Sequence, residues 1–365
     1  MSIKVEIISG LGEKAPAAIL IHAHGRRLLL DAGGPMQPDE PCDWYLGLGL
    51  AQGQDQSIDA ILISHDHVDH IGSVRWLPDY IPLYCTAQVA RSLPSGRLWH
   101  PLPTRGEIEI EGVRITCGQA GHSLGGLWLH LDLAGGIFYS GDFSTESLLY
   151  PFDQPPPADL ALLDASYGTY DTDQTECRQA LLERLTGPTL IPTLLPVPPS
   201  GRALELALWC QAQQIEWALD PVCEGFMQAL LQLSPDLLLP GVQTQLSQLT
   251  PIPWHARESD HPRLIRLAAN ANGIGGESGR LIEDESYTGQ VIYTGYTPAK
   301  ARADIAAGRA KWLRWNVHPR LSDLQNLADD LSASQVIPLF CSMQQTERWK
   351  KAFGERFIYE SALHL

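Results

Sequence analysis

The sequence is short of positive charge: 26 Lys and Arg stand against 42 Asp and Glu, a formal net charge of −16. A surface of that balance repels nucleic acid and anionic membranes, so a polyanion would have to be held by a local basic patch or by bound cations. Paired cysteines are lacking too. The seven (Cys42, Cys85, Cys117, Cys177, Cys210, Cys223 and Cys341) are odd in number, scattered, and without a Cys-x-x-Cys pair. That argues against both a disulfide framework and a zinc ribbon. No apolar run has the length of a membrane span, and Met1 to Gly10 alternates like a strand instead of carrying a signal peptide's apolar core. A cytoplasmic location with no membrane partner is the expectation.

What remains is an ordinary globular balance, 44% hydrophobic and 19% charged, over 365 residues. That length suits two domains, or one with a large insertion. The first half holds short apolar runs bounded by Gly, Pro and Asp, which predict strands at Lys4–Ser9, Ala18–His22, Arg27–Asp31, Ala60–Ser64, Leu83–Cys85, Val113–Cys117, Leu127–Leu133, Ile137–Ser140 and Leu160–Asp164. A Pro-rich loop over Leu149–Ala158 follows. Beyond it the pattern alternates, with helices expected over Gln174–Leu185, Gly201–Gln213 and Leu321–Leu331, and strands over Thr189–Pro192, Gln290–Thr294 and Gln335–Phe340. Ser234–Pro253 fits no element. The change of pattern falls at about residues 170–185.

The strongest chemical signal is Ser64-His65-Asp66-His67-Val68-Asp69-His70, three imidazoles and two carboxylates directly after an apolar strand. Mixed imidazole and carboxylate donors at a strand end suit a catalytic zinc site with an open position. Three further strand ends add to it: Leu30-Asp31-Ala32-Gly33-Gly34, Gly121-His122-Ser123 and Ser140-Gly141-Asp142. Each alone reads more readily as an ordinary polar turn; together and in this order they do not.

In that order they resemble the metallo-β-lactamase superfamily, an αβ/βα sandwich with metals at the sheet edges. The resemblance implies His65, His67 and His122 on one metal, Asp69 and His70 on the other, and Asp142 between them. Two zinc ions, with manganese an option at the second site, would be the cofactors. Asp31 would orient a ligand, or simply end its strand.

Later segments are similar to the β-CASP nucleases: Leu162-Leu163-Asp164-Ala165-Ser166-Tyr167-Gly168, Leu190-Ile191-Pro192-Thr193, Gly201-Arg202-Ala203-Leu204-Glu205, Asn272-Gly273-Ile274-Gly275-Gly276, Val291 to Tyr296, and Asn316-Val317-His318. The likeness runs from about Leu28 to Phe340. It implies an α/β fold in which residues 1–180 and 290–365 form the catalytic domain and 181–289 a smaller inserted β-CASP-like α/β domain. By the same resemblance Asp69 and Asp31 serve catalysis, a hydroxide between the metals attacks phosphorus, and Asp164 holds His318 as general acid. Where RNA-processing members carry a metal-binding His after the last strand, this chain has Phe340. DNA-processing members are apolar there, a slight tilt toward DNA. Cys341 offers an alternative thiolate ligand.

Lys300, Arg302, Arg309, Lys311, Arg314 and Arg320 face a single acid, Asp304, across 21 residues. With Trp312 and Trp315 interleaved, this run could hold phosphates and stack unpaired bases, or it is a solvated face over core tryptophans. Ser166 and Tyr167 complete the candidate substrate contacts. The function expected is hydrolysis of single-stranded or end-containing nucleic acid, exonuclease action included, by a chain that could form a homodimer. Hydrolysis of a small ester, lactone or thioester is the rival, although the roughly 100 residues from Leu185 to Gln290 exceed what such a site needs. A non-catalytic scaffold is the third reading.

Overall fold

The computed structural model describes residues 2–36, 42–48, 58–188 and 191–365. They divide into two compact units, one of Met1–Thr145, Pro151–Asp171 and His318–Leu365, the other of Glu146–Tyr150 and Thr172–Val317. The expected boundaries after 180 and 289 both fall inside the second unit. Helix Gln174–Leu185 belongs to it, and strands Gln290–Tyr293 and Ala310–Trp312 extend its sheet.

In the first unit, two sheets face each other. Among the described residues one has seven strands, in the order Ala362–His364, Lys4–Ser9, Ala18–Ala23, Arg26–Leu30, Ala60–Leu62, Leu83–Cys85 and His100–Pro101. The other has six, in the order Gln335–Leu339, Leu160–Asp164, Ile137–Tyr139, Leu127–Leu131, Val113–Gln119 and Gly106–Ile110. Period-two alternation sorts the side chains between layers. Ile19, Ile21, Leu28, Leu30 and Leu62 meet Leu129, Leu131, Tyr139, Leu162 and Leu339 between the sheets. The intervening Ala18, Leu20, Leu29 and Ile61 face outward onto Ile71, Val74 and Leu77. On the far side Phe138, Ala161 and Leu163 pack under Leu324, Leu327 and Trp349 of helices Leu321–Asp330 and Thr346–Phe353. Helix, sheet, sheet, helix is the expected αβ/βα sandwich.

Strand Gly106–Ile110 escaped the sequence reading because its alternation is mostly charged; a two-residue turn at Glu111 and Gly112, both with positive φ, joins it to Val113–Gln119.

The second unit is a parallel sheet in the order Trp217–Leu219, Ile265–Ala268, Thr193–Pro196, Gln290–Tyr293 and Ala310–Trp312. Of the strand expected at Thr189–Pro192, Thr189 and Leu190 lie outside the described residues. The observed strand begins at Thr193, since Pro192 has no N–H to give a central ladder. Helix Arg202–Ala212 is buried over most of its surface, not along one stripe. Ser234–Pro253 contains one short helix, Val242–Ser247.

Candidate metal centre

The apolar strand Ala60–Leu62 ends in the loop that carries His65 and His67, and a single helical turn, Val68–Ile71, presents Asp69 and His70. The turn packs tightly against the Asp31–Gly34 loop. A Cβ on Gly33 would sit 2.0 Å from the Asp69 carbonyl oxygen, so only glycine lets the two loops meet. Gly141, with φ of +54° and Ser64 pressed against it, likewise sets the approach of Asp142.

The donors converge. One ligand atom from each of His65, His67, His122 and Asp142 lies within 4.8 Å of the others, and so do those of Asp69, His70 and Asp142. His122 Nε2 and His67 Nδ1 are 3.1 Å apart, and His65 Nε2 and His122 Nε2 are each 3.6 Å from Asp142 Oδ2. Those spacings match the edge of a tetrahedron whose bonds are about 2.0–2.1 Å.

The hydrogen bonds set the tautomers. Ser64 Oγ has one proton, given to Asp31 Oδ2 at 2.7 Å, so at 3.0 Å it accepts from His65 Nδ1–H. His65 Nε2 then carries the lone pair, and it is buried with no hydrogen-bond partner. Burial and the neighbouring rings push this imidazole well below its usual range, keeping it neutral, as a ligand must be. Asp142 Oδ1 is also buried, and its charged neighbour, His70 Nε2 at 3.1 Å, forms no aligned hydrogen bond with it. Such orphaned groups are costly unless a cation completes them, so the residues fit a metal.

Asp31 is fully buried and accepts from Ser64 N (2.6 Å), Ser64 Oγ (2.7 Å) and Tyr139 OH (2.5 Å), with His70 Nδ1 2.7 Å from Oδ2. It therefore orients ligands and does not merely end a strand. Burial opposes charge on His70, but Asp142 and Asp31 outweigh it and raise this imidazole well above its usual value in the absence of metal. Burial likewise opposes ionisation of Asp142, and His70 and His318 overcome it, holding the carboxyl well below its ordinary range.

His318, the first residue to return to this unit, lies beside the cluster. Its Nδ1 is 2.8 Å from Asp164 Oδ2 and 3.7 Å from Asp142 Oδ2, and its ring centroid is 4.7 Å from that of His122. Asp164 is fixed by Ser140 Oγ, which accepts from its N–H, and by accepting from Ser166 N. Tyr167 packs on His318 at 5.1 Å.

The second donor set is less complete. Phe340 stands edge-on to His70, ring centroids 5.3 Å apart, where the resemblance asks for a histidine. Cys341 packs with Trp349 and Phe353 and joins no donor group among the described residues; burial pushes its thiol up to about 12. Sequence reasoning missed Ser64 and Tyr139, whose neighbours in the motifs were the only signal, and Lys14, which had none. Lys14 Nζ lies 3.9 Å from Asp69 Oδ2 and donates to Ser166 Oγ at 3.1 Å.

The basic run belongs to the second unit except for Arg320, which caps a helix by pairing with Asp323. Arg309 is paired with Asp304 and Lys300 with Glu283. Arg302 donates to the Thr297 carbonyl, Arg314 lies 4.8 Å over the Trp312 ring, and Lys311 is exposed. Trp312 is partly exposed, but Trp315 is fully buried and donates to Glu205 Oε2 at 2.7 Å, so it offers no stacking face.

Residues 26–193 match the beta-lactamase superfamily domain. With this sandwich and donor set, residues 26–193 carry a domain of the metallo-β-lactamase superfamily. Within it, the β-CASP branch holds the relatives the chain resembles. It is 26% identical over 248 residues to transcription termination factor FttA of Methanothermobacter thermautotrophicus, covering 56% of this chain and 39% of that protein. It is 24% identical over 248 residues to endoribonuclease YSH1 of Candida glabrata (55% and 31%), and 26% identical over 237 residues to cleavage and polyadenylation specificity factor 73 of Drosophila melanogaster (54% and 34%). The chain thus spans less than two-fifths of these relatives' length. A crystal structure of a protein of unknown function from Enterococcus faecalis V583 shares the fold over the full length of both chains, with a TM-score of 0.66 at 15% identity.

Proposed function

We propose that this chain is a metal-dependent nuclease that hydrolyses phosphodiester bonds in single-stranded nucleic acid, RNA before DNA. The observation that carries the reading is the Asp164–His318 pair set against the His65, His67, His122 and Asp142 donors. One relative is named an endoribonuclease, which supports RNA; Phe340 remains the argument for DNA.

His65, His67, His122 and Asp142 would hold zinc, which favours imidazole nitrogen; Asp69, His70 and Asp142 form a second, less complete donor set. When bound, such an ion supplies Lewis acidity and an acidified water, its pKa lowered to about 7. Asp31, directly and through Ser64 Oγ, would keep His70 and His65 in the tautomers that point lone pairs inward. Asp164 engages His318 Nδ1, which leaves Nε2 to pass a proton to the departing oxygen as the P–O bond breaks. Ser166 and Tyr167 border that position.

End-labelled RNA and DNA of matched sequence, incubated with metal-quantified protein and a His67→Ala control, test this. Cleavage of RNA that disappears in the control is the expected result. Faster cleavage of DNA would overturn the strand preference, and rapid thioester or lactone turnover without nucleolysis would overturn the nuclease reading.

A further inference from the structure

The second donor set departs from a two-metal arrangement at two residues that come together from opposite ends of the chain. Phe340 N donates to Gly10 O at 2.7 Å, and the Phe340 ring packs so closely on Gly10 that a Cβ there would lie 2.7 Å from it. Hydrocarbon therefore fills the place of a donor atom. Four residues beyond Gly10, Lys14 extends its ammonium to within 3.9 Å of Asp69 Oδ2 and onto Ser166 Oγ. Lys14, Phe340, Ser166 and Tyr167 share the wall of one cavity of about 420 Å³.

From this juxtaposition we propose that Lys14 takes the place of the second metal ion: the chain holds one metal, at His65, His67, His122 and Asp142, and the Lys14 ammonium supplies the remaining positive charge. The inference rests on reading those four residues as a metal centre. An ammonium brings fixed charge without needing a ligand set, and it repels a divalent cation at this spacing. Facing the cavity, its N–H groups can hold an anionic oxygen of the substrate beside the single metal.

The test is zinc stoichiometry, by elemental analysis and by calorimetric titration of metal-stripped full-length protein, independent of activity. Wild type is expected to bind one equivalent, lost in His67→Ala. Lys14→Arg keeps one. Lys14→Met combined with Phe340→His gains a second, bound at least about tenfold tighter than any second equivalent of wild type. Two equivalents of similar affinity in wild type would overturn the proposal and leave the metal centre standing. So would a folded double variant (circular dichroism as wild type) that stays at one, or a single equivalent lost in Asp69→Ala but kept in His67→Ala. No zinc in wild type would instead remove the metal-centre reading on which the proposal rests.

Discussion

Replacing Asp31 with Asn tests how one carboxylate governs two imidazoles. The substitution is clean in the backbone: Asp31 has φ of +59°, a region Asn tolerates better than most residues. Its chemistry is not clean. If the amide oxygen takes Ser64 N, the NH2 group faces Ser64 Oγ, Tyr139 OH and His70 Nδ1, all of which donate to the carboxylate. The hydroxyls can turn and accept. Ser64 Oγ would then give its proton to His65 Nδ1, and His70 Nδ1 would have to accept, so both rings would carry a proton on Nε2, toward the metal. Loss of one or two hydrogen bonds to a charged group costs about 2–4 kcal/mol, and misorienting partners of ligands typically weakens metal binding by about 10–100-fold. Urea denaturation of the metal-free protein reads the first effect, and zinc titration against a competing chromophoric chelator reads the second. Stability within about 0.5 kcal/mol of wild type, together with unchanged zinc affinity, would refute the tautomer argument.

His318→Gln should lower turnover by about 10²–10⁴-fold, the usual range for loss of a general acid, while zinc content stays at the wild-type level; an unchanged rate would remove His318 from the chemistry. Iodoacetamide at pH 8 should label half-buried Cys42 in the native protein and spare buried Cys85, Cys117 and Cys341, whose thiols burial pushes up to about 12. At that pH such thiols hold only about one thiolate in ten thousand, and peptide mapping that finds Cys341 labelled first would contradict the packing described. Glu205→Ala removes the acceptor for Ser147 Oγ, Leu148 N and Trp315 Nε1 and should cost the second unit about 2–4 kcal/mol. Amide exchange should then accelerate within residues 172–317; protection equal to wild type would show that Glu205 is not the anchor.

The candidate metal donors were legible because they are consecutive or end apolar strands. His65 to His70 follow Ala60–Leu62 and Asp31 follows Arg26–Leu30 in one sheet, and Asp142 follows Ile137–Tyr139 in the other, so each donor falls at a strand end that patterning could place. Asp164 and His318 needed the family resemblance, being 154 residues apart. Lys14 was invisible because its neighbourhood depends on how the Gly10–Pro16 segment folds back on Phe340, which no local pattern encodes. The basic run misled by being counted along the chain. Lys300 is paired with Glu283, outside the run, and Trp315 is buried against Glu205, 110 residues earlier. Strand Trp217–Leu219 has only three residues, too few for periodicity to show.

The second unit interrupts the first between Asp171 and His318, where Tyr170 O accepts from Leu321 N. All six candidate metal donors precede that interruption, whereas His318 and the edge strand Gln335–Leu339 come after it. At about 5–20 residues per second of synthesis, Asp142 emerges roughly ten to thirty-five seconds before His318. For that interval the nascent chain carries its metal donors without the imidazole that pairs with Asp164, and without the strand that closes the sheet beside it. The order of the chain thus completes the candidate donor cluster early in synthesis and brings in the imidazole proposed as proton donor late.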